Sequence, residues 1–271
     1  MNALSRRAFL SGAAAAAALP LLPRINADET PKPQQKKDPP SERLALGFIG
    51  MGIMNRGHLG WFLGQKDVQV LAVCDVDTTR RDHARQTVEN RYGQDRKSGN
   101  YRCCIGYKDF RDVLRRTDLD AVVIATPDHW HAIPVIEACK AKKDIYCEKP
   151  LTLTILEAKL LIEAVKKYER VLQTGSQQRS SSEFLKACEY VRNGRIGKIK
   201  TVNVNVGGPS KPCDLKEEPL EEGLYWDFWL GPAPKRPYNA VLSPRGVHGH
   251  FPNWRLYREY SGGMMTDWGA H

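Results

Sequence analysis

The chain has 271 residues, of which 41% are hydrophobic and 27% are charged, a composition typical of a globular protein with one large or two modest domains. Collagen-like, low-complexity and polytopic membrane proteins are excluded. The net charge is +10, but acidic residues interleave with basic ones throughout, so no nucleic-acid-binding stripe is predicted. The seven cysteines are scattered through predicted strands and helices, which favours buried thiols over a disulfide framework.

An export signal is predicted over residues 1–27. Arg6 and Arg7 precede an alanine run and a small-residue cleavage site ending at Ala27, the layout of a twin-arginine leader. The apolar stretch is too short to span a bilayer, so the mature form is expected to lack a transmembrane domain. An uncleaved basic amphipathic tail is the alternative. We therefore expect transport by the twin-arginine export machinery, to the periplasm or otherwise outside the cytoplasm.

Residues 28–43 are rich in proline and polar side chains and are predicted to be a linker. The first folded segment follows, with a predicted strand at 44–49, two glycines, and a predicted helix at 53–63. Gly50 permits a tight turn, and Gly52 lets the backbone approach a pyrophosphate at the positive helix terminus. Asn55 stands where G-x-G-x-x-G has its third glycine, so this motif alone is weak.

A second predicted strand, 68–74, ends in Asp75, at the distance where an acidic residue binds the adenosine ribose hydroxyls. A carboxylate there repels a 2′-phosphate, which favours NAD over NADP. Arg80 and Arg81 follow closely and would tolerate that phosphate, so NADP stays possible. The alternative for Asp75 is a helix-capping or turn residue.

Strands and helices then continue to alternate, which predicts an α/β fold: a doubly wound parallel sheet, or Rossmann domain, over 44–180. Ligands bind at the carboxyl ends of such strands, where Thr126, Lys149 and Gln177 stand. The further elements are a connecting segment with a helix at 107–119, strand 120–125, helix 133–142, strand 144–147, helix 155–168 and strand 171–174.

Residues 181–271 are predicted to begin a second domain, with an amphipathic helix at 182–193 and a strand at 198–206. An aromatic group there suits stacking on the apolar faces of sugars, and the core of an insertion is an equal alternative. This group comprises Tyr225, Trp226, Phe228, Trp229, Trp254 and Tyr257.

Several motifs in combination resemble those of the Gfo/Idh/MocA oxidoreductases, a family that includes glucose-fructose oxidoreductase and inositol dehydrogenase. The resemblance spans 44–271, and the leader together with the tract 226–233 is similar to the exported branch of the family. The motifs are the glycine loop 50–57, Cys-Asp-Val-Asp at 74–77, Ala-Thr-Pro-Asp-His-Trp-His at 125–131, Glu-Lys-Pro at 148–150 and Gly-Gly-Met-Met-Thr-Asp-Trp-Gly-Ala-His at 262–271.

The resemblance implies hydride transfer between a nicotinamide cofactor and a hydroxyl of a sugar or cyclitol. It implies that Lys149 donates to the substrate oxygen, and that Asp267 and His271, four residues apart, share a helix face with His271 as general base. The residues expected to bind the cofactor are Gly50, Gly52, Ile53, Met54, Asn55, Asp75, Thr126, Pro127, His129, His131, Glu148, Lys149 and Gln177.

The resemblance also implies an α+β substrate domain with an open, mainly antiparallel sheet, of which 181–271 is only the start. We expect the sequence to be a fragment of a longer protein, which would be a homo-oligomer at full length. Two other functions stay open: a redox-assisted, NAD-dependent glycoside hydrolase, and an inactive cofactor-binding fragment. A metal site at the His-x-His pairs 129–131 and 248–250 is disfavoured, because that spacing is not a specific ligand pattern.

Overall fold

Six parallel strands form one sheet in the computed structural model, which describes residues 42–270. Their spatial order is β3-β2-β1-β4-β5-β6, so the sheet is wound in both directions from β1 and β4. The strands are β1 (Leu44–Ile49), β2 (Val68–Cys74), β3 (Ile105–Tyr107), β4 (Ala121–Ile124), β5 (Asp144–Glu148) and β6 (Leu172–Gly175).

Helices connect these strands and cover both faces of the sheet. The helices are α1 (Ile53–Phe62), α2 (Thr78–Arg91), α3 (Gly93–Lys97), α4 (Phe110–Leu114), α5 (Ala132–Lys140), α6 (Ile155–Lys167), α7 (Ser182–Arg192), α8 (Trp226–Leu230) and α9 (Met264–Trp268), with 3₁₀ turns at Asp128–Trp130, Gln177–Ser180 and Asn253–Leu256. The predicted doubly wound parallel sheet is confirmed.

The central strands read as continuous apolar runs because both of their faces are covered. All four residues of β4 are buried, and two hydrophobic clusters lie on opposite sides of the sheet. Local signals set the boundaries of the helices: Thr154 and Glu157 form a capping box at the start of α6, for example. The strand β3 was not predicted, because three residues are too few to show an alternating pattern.

The strand predicted over 198–206 is wrong. These residues adopt no regular structure and pair with no other strand of residues 42–270, and Val202 and Val204 are 71% and 75% exposed. Alternating apolar residues become a strand only where a neighbouring strand accepts their backbone hydrogen bonds. The antiparallel sheet expected for the second domain is therefore not formed within the described part of the chain.

A third hydrophobic cluster lies between Leu224 and Tyr260 and contains four of the six predicted aromatic residues, Trp226, Trp229, Trp254 and Tyr257. Tyr225 is exposed, and Phe228 packs against one of the clusters on the sheet. Trp226 and Trp229 stack with ring centroids 4.7 Å apart, so this segment has a core of its own without a sheet. The leader (1–27), nearly all of the linker and His271 lie outside the described residues. Within residues 42–270, no helix is long and apolar enough to cross a membrane.

None of the seven cysteines, all of which lie in the described range, forms a disulfide. Cys74, Cys104, Cys139 and Cys147 are buried as predicted, whereas Cys103 and Cys188 are exposed. Burial raises the pKa of the buried thiols, which keeps them in the unreactive protonated form.

Candidate active site

A cavity of about 620 Å³ lies at the carboxyl ends of β1, β2, β4 and β5. Its other wall is formed by the segment from Phe228 to Trp268, so both predicted domains contribute to it. In a doubly wound sheet this is the edge where ligands bind, beside the point where the winding reverses. Most of the residues predicted to bind cofactor line it: Gly50, Gly52, Ile53, Met54, Asp75, Thr126, Pro127, His131, Glu148, Lys149 and Gln177.

The glycine loop has the geometry that the sequence predicts. Gly50 has a φ of +81°, and a side chain there would place its Cβ 2.9 Å from the backbone nitrogen of Thr126. Only glycine fits this close approach of the β1 and β4 loops. At Gly52, by contrast, a Cβ would meet no protein atom within 4 Å, and no side chain caps the start of α1. The cavity therefore reaches the positive terminus of a ten-residue helix, a suitable place for a phosphate.

Asn55 explains why the third glycine of the motif is dispensable here. Its side chain is fully buried and does not line the cavity, which corrects its predicted contact with cofactor. The amide nitrogen donates to the carbonyl of Gly50 at 2.9 Å and to that of Ile49 at 3.1 Å. Asn55 therefore fixes the loop from behind by hydrogen bonds, where a glycine would offer only close packing.

Asp75 stands at the end of β2 and is 8% exposed, facing the cavity. Its two carboxylate oxygens accept the backbone N–H groups of Met51 (2.6 Å) and Asp77 (2.8 Å), which ties the glycine loop to β2. Burial raises the pKa of Asp75, and the charge of Arg80 opposes that rise. Each oxygen retains a lone pair for a hydroxyl, as binding of a ribose requires.

Arg80 is not free to meet a 2′-phosphate. Its guanidinium donates to the carbonyls of Gly246 (3.1 Å) and Pro244 and to the hydroxyl of Ser243 (3.3 Å), and only 5% of the residue is exposed. The loop around Ser243 thus accepts the hydrogen bonds of the guanidinium, and it lines the cavity together with Asp75. Arg80 lines the cavity with its guanidinium already bonded, an arrangement that agrees with the preference for NAD over NADP predicted from Asp75.

His129 and His131 take different positions. His131 lines the cavity, and its ring nitrogens contact the carbonyl oxygens of Thr126 (2.8 Å) and Pro150 (2.6 Å), so it bridges the loops after β4 and β5. His129 does not line the cavity, which corrects its prediction as a cofactor-binding residue. Its Nε2 lies 3.1 Å from the carbonyl oxygen of Trp229, and burial lowers its pKa to about 4. His129 is therefore neutral at pH 7 and fastens α8 to the β4 loop.

Glu148 is the centre of a buried hydrogen-bond network in the wall of the cavity. Its Oε1 accepts from Nε2 of His58 (2.8 Å) and from Gln177 (2.9 Å), and Oε2 accepts the backbone N–H of Lys149. Burial opposes its ionisation, but the hydrogen bonds and nearby charges of His58 and Lys149 outweigh burial and lower its pKa. Glu148 is thus an ionised brace that links α1, β5 and the turn after β6. His58 was not predicted, since a helical histidine has no distinctive pattern.

Lys149 and Asp267 meet inside the cavity. The Nζ of Lys149 donates to Oδ1 of Asp267 at 2.6 Å and to its backbone carbonyl at 2.8 Å. Both side chains are largely buried, at 14% and 8% exposed. Arg255 lies 3.8 Å from the other carboxylate oxygen and was not predicted, because arginine in a loop carries no motif. The third predicted catalytic residue, His271, lies outside the described residues.

Two buried polar atoms at this cavity lack a hydrogen-bond partner among the described residues: Oγ1 of Thr126 and Oε1 of Gln177. Unsatisfied buried polar atoms are costly, and their position in the lining of the cavity suits contact with a bound molecule. Together with the open approach at Gly52 and the free lone pairs of Asp75, they fit a dinucleotide. Such a cofactor, when bound, supplies or accepts the hydride. No group of three potential metal ligands is found in residues 42–270.

The fold and the cavity define a dinucleotide-binding domain of the Rossmann type. Residues 44–176 match an oxidoreductase family, Gfo/Idh/MocA, with its NAD-binding Rossmann fold, and residues 208–271 match the C-terminal alpha/beta domain of the same family. Together the two matches span most of the chain. The chain belongs to the Gfo/Idh/MocA oxidoreductase family.

Curated relatives have two kinds of name. Over 187 residues the chain is 31% identical to the myo-inositol 2-dehydrogenase of Thermotoga maritima, covering 69% of this chain and 52% of that protein. Over 212 residues it is 29% identical to a glycosyl hydrolase family 109 protein of Shewanella putrefaciens, covering 73% and 45%. The chain thus spans about half the length of these relatives.

Among solved structures, the apo scyllo-inositol dehydrogenase of Lactobacillus casei matches with a TM-score of 0.50 and 22% identity, over 58% of this chain and 43% of that one. This match supports the fold alone.

Proposed function

We propose that the protein transfers hydride between NAD and a hydroxyl group of a sugar or cyclitol. The observation that carries this proposal is the Lys149–Asp267 pair, at 2.6 Å, in the same cavity as the glycine loop and Asp75. A hydroxyl carbon held there would lie within reach of both a charged donor and a dinucleotide. The names of the inositol dehydrogenase relatives suggest the class of substrate.

Each residue has a role that its chemistry suits. As hydride leaves the carbinol carbon, the C–O bond becomes a carbonyl and the hydroxyl proton must leave. The Lys149 ammonium stabilises negative charge on that oxygen, and Asp267 holds Lys149 and accepts a hydrogen bond from a neighbouring hydroxyl. His271, four residues beyond Asp267, would take the proton. Phe228, Trp254 and Trp268 line the cavity and offer flat surfaces for the apolar face of a ring.

The test has two parts. Native mass spectrometry of residues 28–271, purified without added nucleotide and then titrated with NAD and NADP, reports binding. Incubation with a panel of cyclitols and sugars, with absorbance of the reduced nicotinamide followed, reports turnover. We expect an NAD adduct and turnover with at least one cyclitol or sugar. Absence of any nucleotide adduct, or binding without a change in absorbance for any compound, would refute the proposal.

A second candidate is a redox-assisted glycoside hydrolase, which the relative named glycosyl hydrolase family 109 protein favours. In that reaction the hydride removed from the sugar is returned, so the cofactor shows no net change. Release of the leaving group from an aryl glycoside without accumulation of NADH would select this function. The two candidates share the cavity and Lys149, and the same sample tests both.

We also propose that the protein is exported by the twin-arginine machinery. Support for export is the Arg6-Arg7 leader with its alanine run. Fusion of residues 1–43 to a reporter, with an Arg6→Lys, Arg7→Lys double variant as control, tests export. Reporter activity outside the cytoplasm is expected only for the unchanged leader.

A further inference from the structure

Asp128 is a buried carboxyl group that the proposed chemistry does not use. It begins the 3₁₀ turn after β4 and is 3% exposed, and it lines the cavity. Its Oδ2 accepts a hydrogen bond from the hydroxyl of Ser261 at 2.7 Å, although the two residues are 133 positions apart. Ser261 is fully buried. A long-range hydrogen bond between two buried groups requires a close fit of the two segments that bring them together.

Ser261 stands at the start of the turn into α9. The backbone N–H of Gly263 points to the Ser261 hydroxyl at 3.4 Å, and the carbonyl of Gly263 accepts the backbone N–H of Asp267 at 3.1 Å. Gly263 has a φ of +84°, and a Cβ there would lie 2.5 Å from the backbone nitrogen of Ser210. The backbone between Ser261 and the helix that carries Asp267 is therefore tightly packed, and a side chain at position 263 would not fit.

Helix α9 has only five residues, and such a short helix is not stable by itself. Met265 and Trp268 are 65% and 53% exposed, whereas Asp267 is 6% exposed. At its start, α9 is held by the backbone hydrogen bond from Met264 to Gly208 (3.2 Å) and, through Ser261, by Asp128. At Asp267 it is held by Lys149, with Arg255 3.8 Å away. Asp128 and Lys149 follow the neighbouring strands β4 and β5, so the Rossmann sheet contacts α9 at both places.

We propose that Asp128 is a positioning residue, which holds α9 through Ser261 so that Asp267 stays on Lys149. This inference rests on the proposed function in one respect, which is that Lys149 acts on the substrate. Removal of the Asp128–Ser261 hydrogen bond takes away the contact between the start of α9 and the sheet, leaving the Met264–Gly208 bond, and Asp267 then leaves Lys149 for part of the time.

The charges around Asp128 agree with this role. Burial raises its pKa to about 7, and the hydrogen bond from Ser261 and the charge of Arg255 oppose that rise. Asp267 adds a repulsive charge and Lys149 an attractive one, so Asp128 is close enough to the pair to respond to both. Burying a carboxyl group costs free energy unless it is hydrogen-bonded, and Ser261 supplies that bond.

The first test measures the accessibility of Lys149 and needs no substrate. The full chain is treated with acetic anhydride, and the rate of acetylation of each lysine is read by peptide mass spectrometry. In Asp128→Ala and Ser261→Ala we expect Lys149 to be acetylated several times faster than in the unchanged protein, and the double variant to match the single ones. Asp128→Asn should stay near the unchanged rate, because its amide oxygen still accepts from Ser261.

Two controls accompany this test. Lys143, buried and hydrogen-bonded to the carbonyl of Leu119, is the internal reference, and its rate should not change. Ser181→Ala removes another buried serine, which caps α7, and should leave Lys149 protected. Equal rates of Lys149 acetylation in Ser261→Ala and in the unchanged protein would overturn the proposal. If Asp128→Ala does not fold, the rate measured in Ser261→Ala is sufficient to decide the proposal.

A second measurement separates this proposal from the proposed function. Where the unchanged protein turns over a substrate, Asp128→Ala should lower kcat by roughly tenfold to a hundredfold, the effect of a misplaced catalytic group, with NAD affinity unchanged. Asp128→Asn should recover most of that loss. If the unchanged protein turns over no substrate, the proposed function is refuted. The acetylation rates then still test whether Asp128 positions Asp267. Equal kcat in Asp128→Ala and the unchanged protein overturns the positioning role.

Discussion

Lys149 and Asp267 form an ion pair of 2.6 Å although 118 positions separate them in the chain. The lysine follows β5 of the Rossmann sheet, and the aspartate belongs to a helix that the second segment brings across the cavity. A buried pair of this kind adds little to stability, because desolvation offsets the attraction. The ion pair instead fixes the positions of the Lys149 ammonium and the Asp267 carboxylate in the cavity that also contains the glycine loop.

The first prediction concerns Lys149→Met. Methionine preserves the length and most of the volume of the side chain but cannot stabilise charge on the substrate oxygen. We expect turnover to fall by about 10²- to 10⁴-fold, the range for loss of one acid–base group, with NAD affinity nearly unchanged. Steady-state kinetics and nucleotide titration measure the two effects. Lys140→Met, which alters an exposed lysine paired with Glu137, is the matched control and should remain fully active.

Gly52→Ala should separate folding from cofactor binding. A Cβ at this position meets no protein atom within 4 Å, so the free energy of unfolding should change by less than about 0.5 kcal/mol. The added methyl group would nevertheless point into the space where a phosphate approaches α1, and NAD affinity should fall at least tenfold. Gly57→Ala, in the same helix and also without a close neighbour, is the control and should bind NAD normally. Equal NAD affinity in both variants would disprove the assigned phosphate position.

Asn55→Gly restores the third glycine of the motif and should nevertheless destabilise the protein. The variant loses the hydrogen bonds to the carbonyls of Ile49 and Gly50, and a glycine enters a helix interior. Together these changes should lower the free energy of unfolding by about 2–3 kcal/mol. Chemical denaturation measures this loss. Gln65→Ala, which removes a partly buried amide bonded to Trp61, is the control and should cost less than about 1 kcal/mol.

The sequence predicts some of these features and not others. The Rossmann sheet and the contact of Gly50 with the β4 loop were predictable, because glycine spacing and buried apolar runs are local patterns. The role of Asn55 was not, since one residue in a motif does not reveal whether it faces a ligand or the loop behind it. Arg255 and Ser261 were missed because their partners lie far away in the chain. The strand predicted at 198–206 is absent because no strand of residues 42–270 pairs with this segment.

Asp75→Asn should relax the preference for NAD. The amide keeps one hydrogen-bond acceptor for the loop but removes the negative charge that repels a 2′-phosphate. We expect the ratio of NADP to NAD affinity to rise about tenfold, equivalent to about 1.4 kcal/mol. Fluorescence titration of both nucleotides measures the ratio. Arg80→Ala should destabilise the protein and leave NADP affinity unchanged, because its guanidinium is already bonded to Ser243, Pro244 and Gly246. A loss of NADP binding in Arg80→Ala would show that this arginine reaches the phosphate.

The last prediction concerns pH. Asp128 has an ordinary pKa of 3.8 when unfolded and about 7 when folded, because burial disfavours its charged form. Between these values the folded protein holds a proton that the unfolded chain releases, so this residue lowers stability as pH rises. Asp128→Asn does not titrate there. The free energy of unfolding of this variant, minus that of the unchanged protein, should therefore increase from about pH 4 to about pH 7 and then level off.

Asp118 is the control, because its pKa is shifted in the opposite direction from that of Asp128. Its hydrogen bond with Arg116 lowers its pKa, so its contribution is present above pH 3.8 and is lost as pH falls further. Asp118→Asn should therefore show a difference that changes only at the acid end, and a small one because the side chain is 56% exposed. Denaturant unfolding of the three proteins at half-unit steps of pH measures both profiles. Parallel curves for Asp128→Asn and the unchanged protein between pH 4 and 7 would mean that Asp128 is ionised throughout, with Ser261 and Arg255 stabilising its charge fully.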